Sequence, residues 1–112
     1  MSLRDFDERM LRLKLALGVS KDMHVASELG LSKAALSNRK QRGVFPISDL
    51  FALKERLSDL DCVFILTGRK LGPLPEFLQL AFRLLAEGTH DNADALMQFV
   101  DYIDRTQQSL HH

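Results

Sequence analysis

The residues best placed to do chemistry lie between Lys33 and Gln41. On a helix, which turns about 100° per residue, Ala34, Ser37, Asn38 and Gln41 share one face and Leu36 points the opposite way. Asn and Gln amides pair bidentately with adenine, a serine hydroxyl bonds several base edges, and an alanine methyl meets a thymine methyl in the major groove. Lys33, at the helix start, reaches a guanine or a phosphate. An ordinary solvated helix face carries Glu and Lys pairs, and acids are absent here. Residues 29–48 hold Lys33, Arg39, Lys40 and Arg42 and no Asp or Glu, a composition suited to a phosphate backbone.

A helix that presents such a face must be held across another. Val25, Leu29, Leu31 and Leu36 supply the inner faces of two helices, at about residues 23–29 and 33–41, joined by a turn short enough to cross them steeply. Ala26 is small enough for the second helix to approach the first, Gly30 sits where the turn needs positive φ, and Ser32 is placed to cap the second helix by accepting from the Ala34 or Ala35 N–H. Small residue, glycine four later, aliphatic six after that is a helix-turn-helix spacing. A plain helical hairpin shares part of this pattern, and the acid-free, amide-rich outer face separates the two readings.

The rest of the chain reads as helix throughout. Leucine occurs 21 times against 11 Val, Ile and Thr combined, which favours an all-α fold. Phe6, Met10, Leu13 and Leu17 define a first helix at about residues 5–17. A fourth spans residues 49–57 with Ser48 as its N-cap, and a fifth spans 62–67 between Asp61 as N-cap and Gly68 as stop. Gly18, Gly43, Gly68 and Gly88 follow apolar-periodic stretches, as left-handed terminators do. Residues 69–75, with two prolines and a glycine, form a linker. Beyond it lie helices at about 75–87 and 93–107, joined through Gly88, Thr89, His90, Asp91 and Asn92. The expected organisation is a domain over 1–68, the linker 69–75 and a helical hairpin over 76–112.

The chain resembles the helix-turn-helix domain of phage CI-type repressors over about residues 10–70. The resemblance rests on Val25 to Ser32, on Leu36 to Gly43, on Phe45-Pro46, and on Phe64-Ile65-Leu66-Thr67-Gly68 closing the domain. The family commonly has Trp where Phe64 stands, and often an aromatic or apolar residue where Arg39 stands. The resemblance implies a five-helix, lambda-repressor-like domain in which residues 33–41 form the recognition helix. Lys33, Ala34, Ser37, Asn38 and Gln41 would then face bases of double-stranded DNA, with Ser32, Arg39, Lys40 and Arg42 at phosphates. Many members continue into a self-cleaving peptidase domain, for which these 112 residues have no room.

The hairpin carries Phe77, Leu78, Leu80, Ala81, Leu84 and Leu85 on its first helix and Leu96, Phe99, Val100 and Ile103 on its second, with Tyr102 alongside. Two helices this apolar do not cover one another's stripes, so these residues predict a homodimer through a four-helix bundle. The alternative packs the hairpin back onto its own N-terminal domain. Dimerisation suits the DNA reading, because two recognition helices about 34 Å apart read a near-palindromic site.

Other classes are disfavoured. There is no apolar run long enough to span a bilayer and no apolar signal core, so a cytoplasmic protein without a membrane partner is expected. The single Cys62, inside Cys62-Val63-Phe64-Ile65-Leu66, reads as a buried hydrophobe. No phosphate loop, metal-ligand cluster or Ser/His/Asp spacing appears, and His24 and His90 are isolated, so neither an enzyme, a cofactor, a metal nor a small-molecule ligand is expected. The rival is an interaction protein, antitoxin-like or an anti-repressor adaptor, whose hairpin binds another protein. The net charge of zero, taken alone, argues against nucleic acid, yet residues 1–43 carry nine Lys/Arg against five Asp/Glu and residues 44–112 carry six against ten. The average conceals a basic reader and an acidic end.

Overall fold

Phe6, Leu13, Val25, Leu50, Ile65 and Val100 are fully excluded from solvent, and the elements that carry them are all helical. A computed structural model describes residues 3–88 and 93–110. Its order is α1 (Leu3–Leu17), α2 (Asp22–Leu29), α3 (Lys33–Arg42), α4 (Ile47–Arg56), α5 (Cys62–Thr67), α6 (Glu76–Gly88) and α7 (Ala93–Leu110), with no strand among the described residues. His90 and its neighbours in the α6–α7 connection lie outside the described residues.

The first three helices end alike. Gly30 takes φ +74° after α2, its N–H donating to Ser27 O at 3.1 Å while Leu31 N–H donates to Ala26 O at 2.9 Å. This pair of bonds is the Schellman closure, and it satisfies two orphan carbonyls while turning the chain. Gly18 and Gly43 close α1 and α3 with the same pattern. Two sequence expectations need correction. Gly88 is the last helical residue of α6 and does not take positive φ, whereas Gly72, between α5 and α6, does. Ser48 does not cap α4: the helix starts at Ile47 after Pro46, and no side chain caps it. Proline's fixed φ organises the first turn two residues earlier, before a serine hydroxyl is needed.

Two arginines on α1 tie the first helix to the fifth. Arg9, buried, donates Nε–H to Leu66 O at 3.0 Å, and Arg12 donates Nε–H to Ile65 O at 2.9 Å. The last carbonyls of a helix have no intrahelical donor, so these guanidinium groups complete the C-terminal end of α5 and suit its negative dipole end. At the other end of α5, Asp61 caps as expected, accepting from Phe64 N–H at 3.0 Å.

The hairpin does not stand apart on a tether. Phe82, Ala86, Leu96 and Val100 belong to the same core as Phe51 and Ile65, and α6 packs on α4 while α7 packs on α5. The Phe82 ring meets Phe51 edge-on (centroids 6.4 Å apart, 66° between planes) and Phe99 at 6.4 Å. Arg69, just after α5, holds α7 through Asp101 and through Asp104 at 2.8 Å. Arg83 on α6 reaches Glu55 on α4 at 3.2 Å and lies 5.4 Å from the Phe51 ring centroid.

The expected dimer stripe is therefore divided. Leu96, Val100 and Ile103 are buried inside the protomer, and Leu85 and Phe99 are half-buried against its core. Leu78 is half-buried, and Phe77, Leu80 and Leu84 remain exposed. The physical reason is the small size of the first five helices: α4 and α5 leave Phe51 and Ile65 to be covered, and burying them against α6 and α7 removes more apolar surface from water than a free hairpin would.

Candidate nucleic-acid interface

α3 is held by few residues, which leaves most of its surface outward. Leu36 is its buried anchor, packed with Val25, Ala26 and Leu29 of α2. Ala26 is itself buried, as its small side chain at the crossing requires. Ser32 caps α3 by accepting from Ala35 N–H at 3.0 Å, the second of the two donors expected. The N–H groups of the first turn's remaining residues have no intrahelical acceptor. No acid occupies that turn, so the positive end of the helix dipole is uncompensated beside the Lys33 ammonium.

Lys33, Ala34, Ser37, Asn38 and Gln41 are all exposed, as are Ser32, Lys40 and Arg42. Among the described residues, the side chains of Lys33, Ser37, Asn38, Gln41 and Arg42 enter no hydrogen bond or ion pair. Their donors and acceptors are already solvated and oriented outward from a rigid element. A ligand meeting this face would break no protein contact made by those five side chains.

Arg39 and Lys40 differ from the rest because acids on neighbouring helices hold them. Arg39 is half-buried, its Nη2 3.7 Å from Asp49 Oδ2 in the first turn of α4. Lys40 Nζ lies 3.8 Å from Asp22 Oδ2, and Lys14 Nζ lies 2.6 Å from Asp22 Oδ1. The Lys14 hydrogen bond holds the Asp22 carboxyl below its ordinary range against a smaller opposing cost of burial, with the Lys14 and Lys40 charges adding. Asp22 therefore stays ionised and ties α1, α2 and α3 together beside the outer face of α3. Sequence reasoning missed both acids. Each sits in the first turn of its helix, where a carboxylate suits the dipole, and nothing in sequence distance links Asp22 to Lys40 or Asp49 to Arg39.

The remaining candidates take structural places. Cys62 is buried, and burial pushes its thiol up to about 12, which makes it a poor nucleophile at neutral pH. His24 is exposed, and no group of three or more His, Cys, Asp or Glu able to hold a metal occurs among the described residues. No helix is long and apolar enough to cross a membrane, again among the described residues.

The chain matches no curated protein and no solved structure. Residues 8–70, more than half of the chain, match the family model of the bacteriophage CI repressor helix-turn-helix domain. That span takes in α2, its Gly30 turn, α3 with its outward polar face, and the Thr67-Gly68 closure of α5, so the chain belongs to the bacteriophage CI repressor helix-turn-helix family of DNA-binding repressors.

Proposed function

We propose that this chain is a sequence-specific repressor that binds a near-palindromic operator as a dimer and acts by occluding a promoter. The observation that carries the reading is the face of α3: Lys33, Ala34, Ser37, Asn38 and Gln41 exposed together, with every polar group among them free of protein partners. In this reading Asn38 and Gln41 take adenine edges, Ser37 a neighbouring base edge, Ala34 a thymine methyl and Lys33 a guanine or phosphate. Ser32, Lys40 and Arg42 take phosphates, and Arg39 does so from its seat beside Asp49. One such helix reads only a few base pairs, so two copies are needed for specificity, with their α3 helices about 34 Å apart. With Leu96, Val100 and Ile103 inside the protomer, the pairing of copies falls to the exposed side of α6.

Selection from a random duplex library at two salt concentrations tests the reading. Enrichment of a two-fold-related motif is expected, and the selected affinity should fall with salt as phosphate contacts release counterions. Failure of the folded protein to enrich any sequence would refute it and favour the protein-binding adaptor instead.

A further inference from the structure

Beside the exposed edge of α6 lies a groove of about 590 Å³, bounded by α6, the turn between α4 and α5, and the segment before α6. Its floor is apolar, with Leu60, Cys62, Leu74 and Phe82 all buried, and Leu80 forms one wall. The volume falls within the roughly 300–1,000 Å³ of sites that enclose organic groups, so it admits an aromatic side chain and its neighbour. Along the outside of α6, Phe77, Leu80 and Leu84 are 71%, 56% and 62% exposed at i, i+3 and i+7. Leu80 belongs to both features, so the apolar row and the groove are one continuous surface. Few soluble surfaces leave such a row open without a partner.

We propose that the groove receives Phe77 of a second copy of this chain, making α6 and the groove a two-fold, knob-into-groove dimer face. A two-fold interface uses the same patch twice and must therefore be self-complementary. A projecting row beside a matching hollow on one face meets that requirement, whereas a row alone does not. Area favours the same occupant. The open parts of Phe77, Leu80 and Leu84 supply roughly 400 Å², and the groove walls and lip bring the face to roughly 600 Å² per partner, at the low end of specific interfaces. The face also leaves the reading helix clear. α4 meets Arg39 of α3 through Asp49 near its start and Arg83 of α6 through Glu55 near its end, so α3 and the groove lie toward opposite ends of α4.

The inference rests on the dimer reading proposed above and is tested without DNA. Sedimentation equilibrium of the full chain, Phe77→Glu and Ser58→Trp should show a dimer for the first and weakening of about 30-fold or more for each variant, the loss expected of an interface anchor. Both positions are exposed, and far-UV circular dichroism confirms that each variant folds. Asp59→Trp, on the same lip, replaces Ser58→Trp if that one does not. An equimolar mixture of the Phe77 and Ser58 variants should associate more tightly than either variant alone, because one of the two contacts then sets an intact knob in an intact groove. A dimer untouched by the lip variants means that α6 stacks on α6, and overturns the groove while leaving the dimer reading standing. A wild-type monomer throughout the micromolar range overturns both. A small molecule retained in native mass spectrometry and displaced by Ser58→Trp overturns the second copy as occupant.

Discussion

Phe82→Ala tests the packing that joins the C-terminal helices to the rest of the chain. Phe82 is 2% exposed and lies between Phe51 of α4 and Phe99 of α7. Removing its ring withdraws roughly 120 Å² of apolar surface from burial, or about 3 kcal/mol at ~25 cal/mol per Å². A cavity between three helices that cannot collapse together adds to this, which puts the expected loss in the upper part of the ~3–5 kcal/mol range for Phe→Ala in cores. Against a total of about 5–15 kcal/mol, that is a large share of the stability. Urea unfolding in a Phe77→Glu background removes any contribution from dissociation. The chain has one tyrosine, Tyr102 on α7, and no tryptophan, so tyrosine fluorescence reports on the hairpin while far-UV circular dichroism reports on all helices. Both midpoints should fall together, because a single cooperative unit gives coincident transitions. A tyrosine transition that moves alone, with the bulk helical signal unchanged, would refute a shared core and restore a separately folded hairpin.

On the outer face of α3, if it meets DNA as proposed, Asn38→Ala should cost about 1–3 kcal/mol at one operator position and relax preference there, whereas Arg42→Ala should weaken all duplexes alike and lower the salt slope by about one; competition binding at several salt concentrations separates them. Asp22→Asn should lower stability at neutral pH by less than about 1 kcal/mol, since the pair is partly exposed. Because the folded carboxyl titrates below its unfolded value near ~3.9, the gap should be full above that pH and vanish as acid protonates the folded group. The same variant frees Lys40, so duplex binding should tighten, most at low salt. Gly30→Ala should cost about 1–2 kcal/mol in thermal unfolding through backbone strain alone, because an added Cβ meets nothing within 4 Å while φ stays at +74°.

Much of this protein was legible in local pattern. Helical spacing of Leu and Phe gave the elements, and Gly18, Gly30, Gly43 and Gly68 marked the ends of four helices because positive φ is costly for other residues. The outer face of α3 followed from 100° steps around Leu36, and its exposure depends only on that one inward anchor. Ser32 and Asp61 were readable as caps for the same reason: a cap reaches three residues along its own chain. Ser48 failed that local rule because Pro46 had already set the first turn.

What pairs across the chain was not legible. Arg9 and Arg12 complete the end of α5 more than fifty residues away, and Asp22 and Asp49 hold Lys40 and Arg39; a charge announces that it needs a partner without saying which. The hairpin is the plainest case. The sequence determined that α6 and α7 carry more apolar surface than they can hide between themselves. Only the tertiary structure decided that Leu96, Val100 and Ile103 turn inward while Phe77, Leu80 and Leu84 stay open. Periodicity fixes the angle of a side chain about its helix axis, and burial depends on which neighbour lies at that angle, which is set by the shape of the whole core.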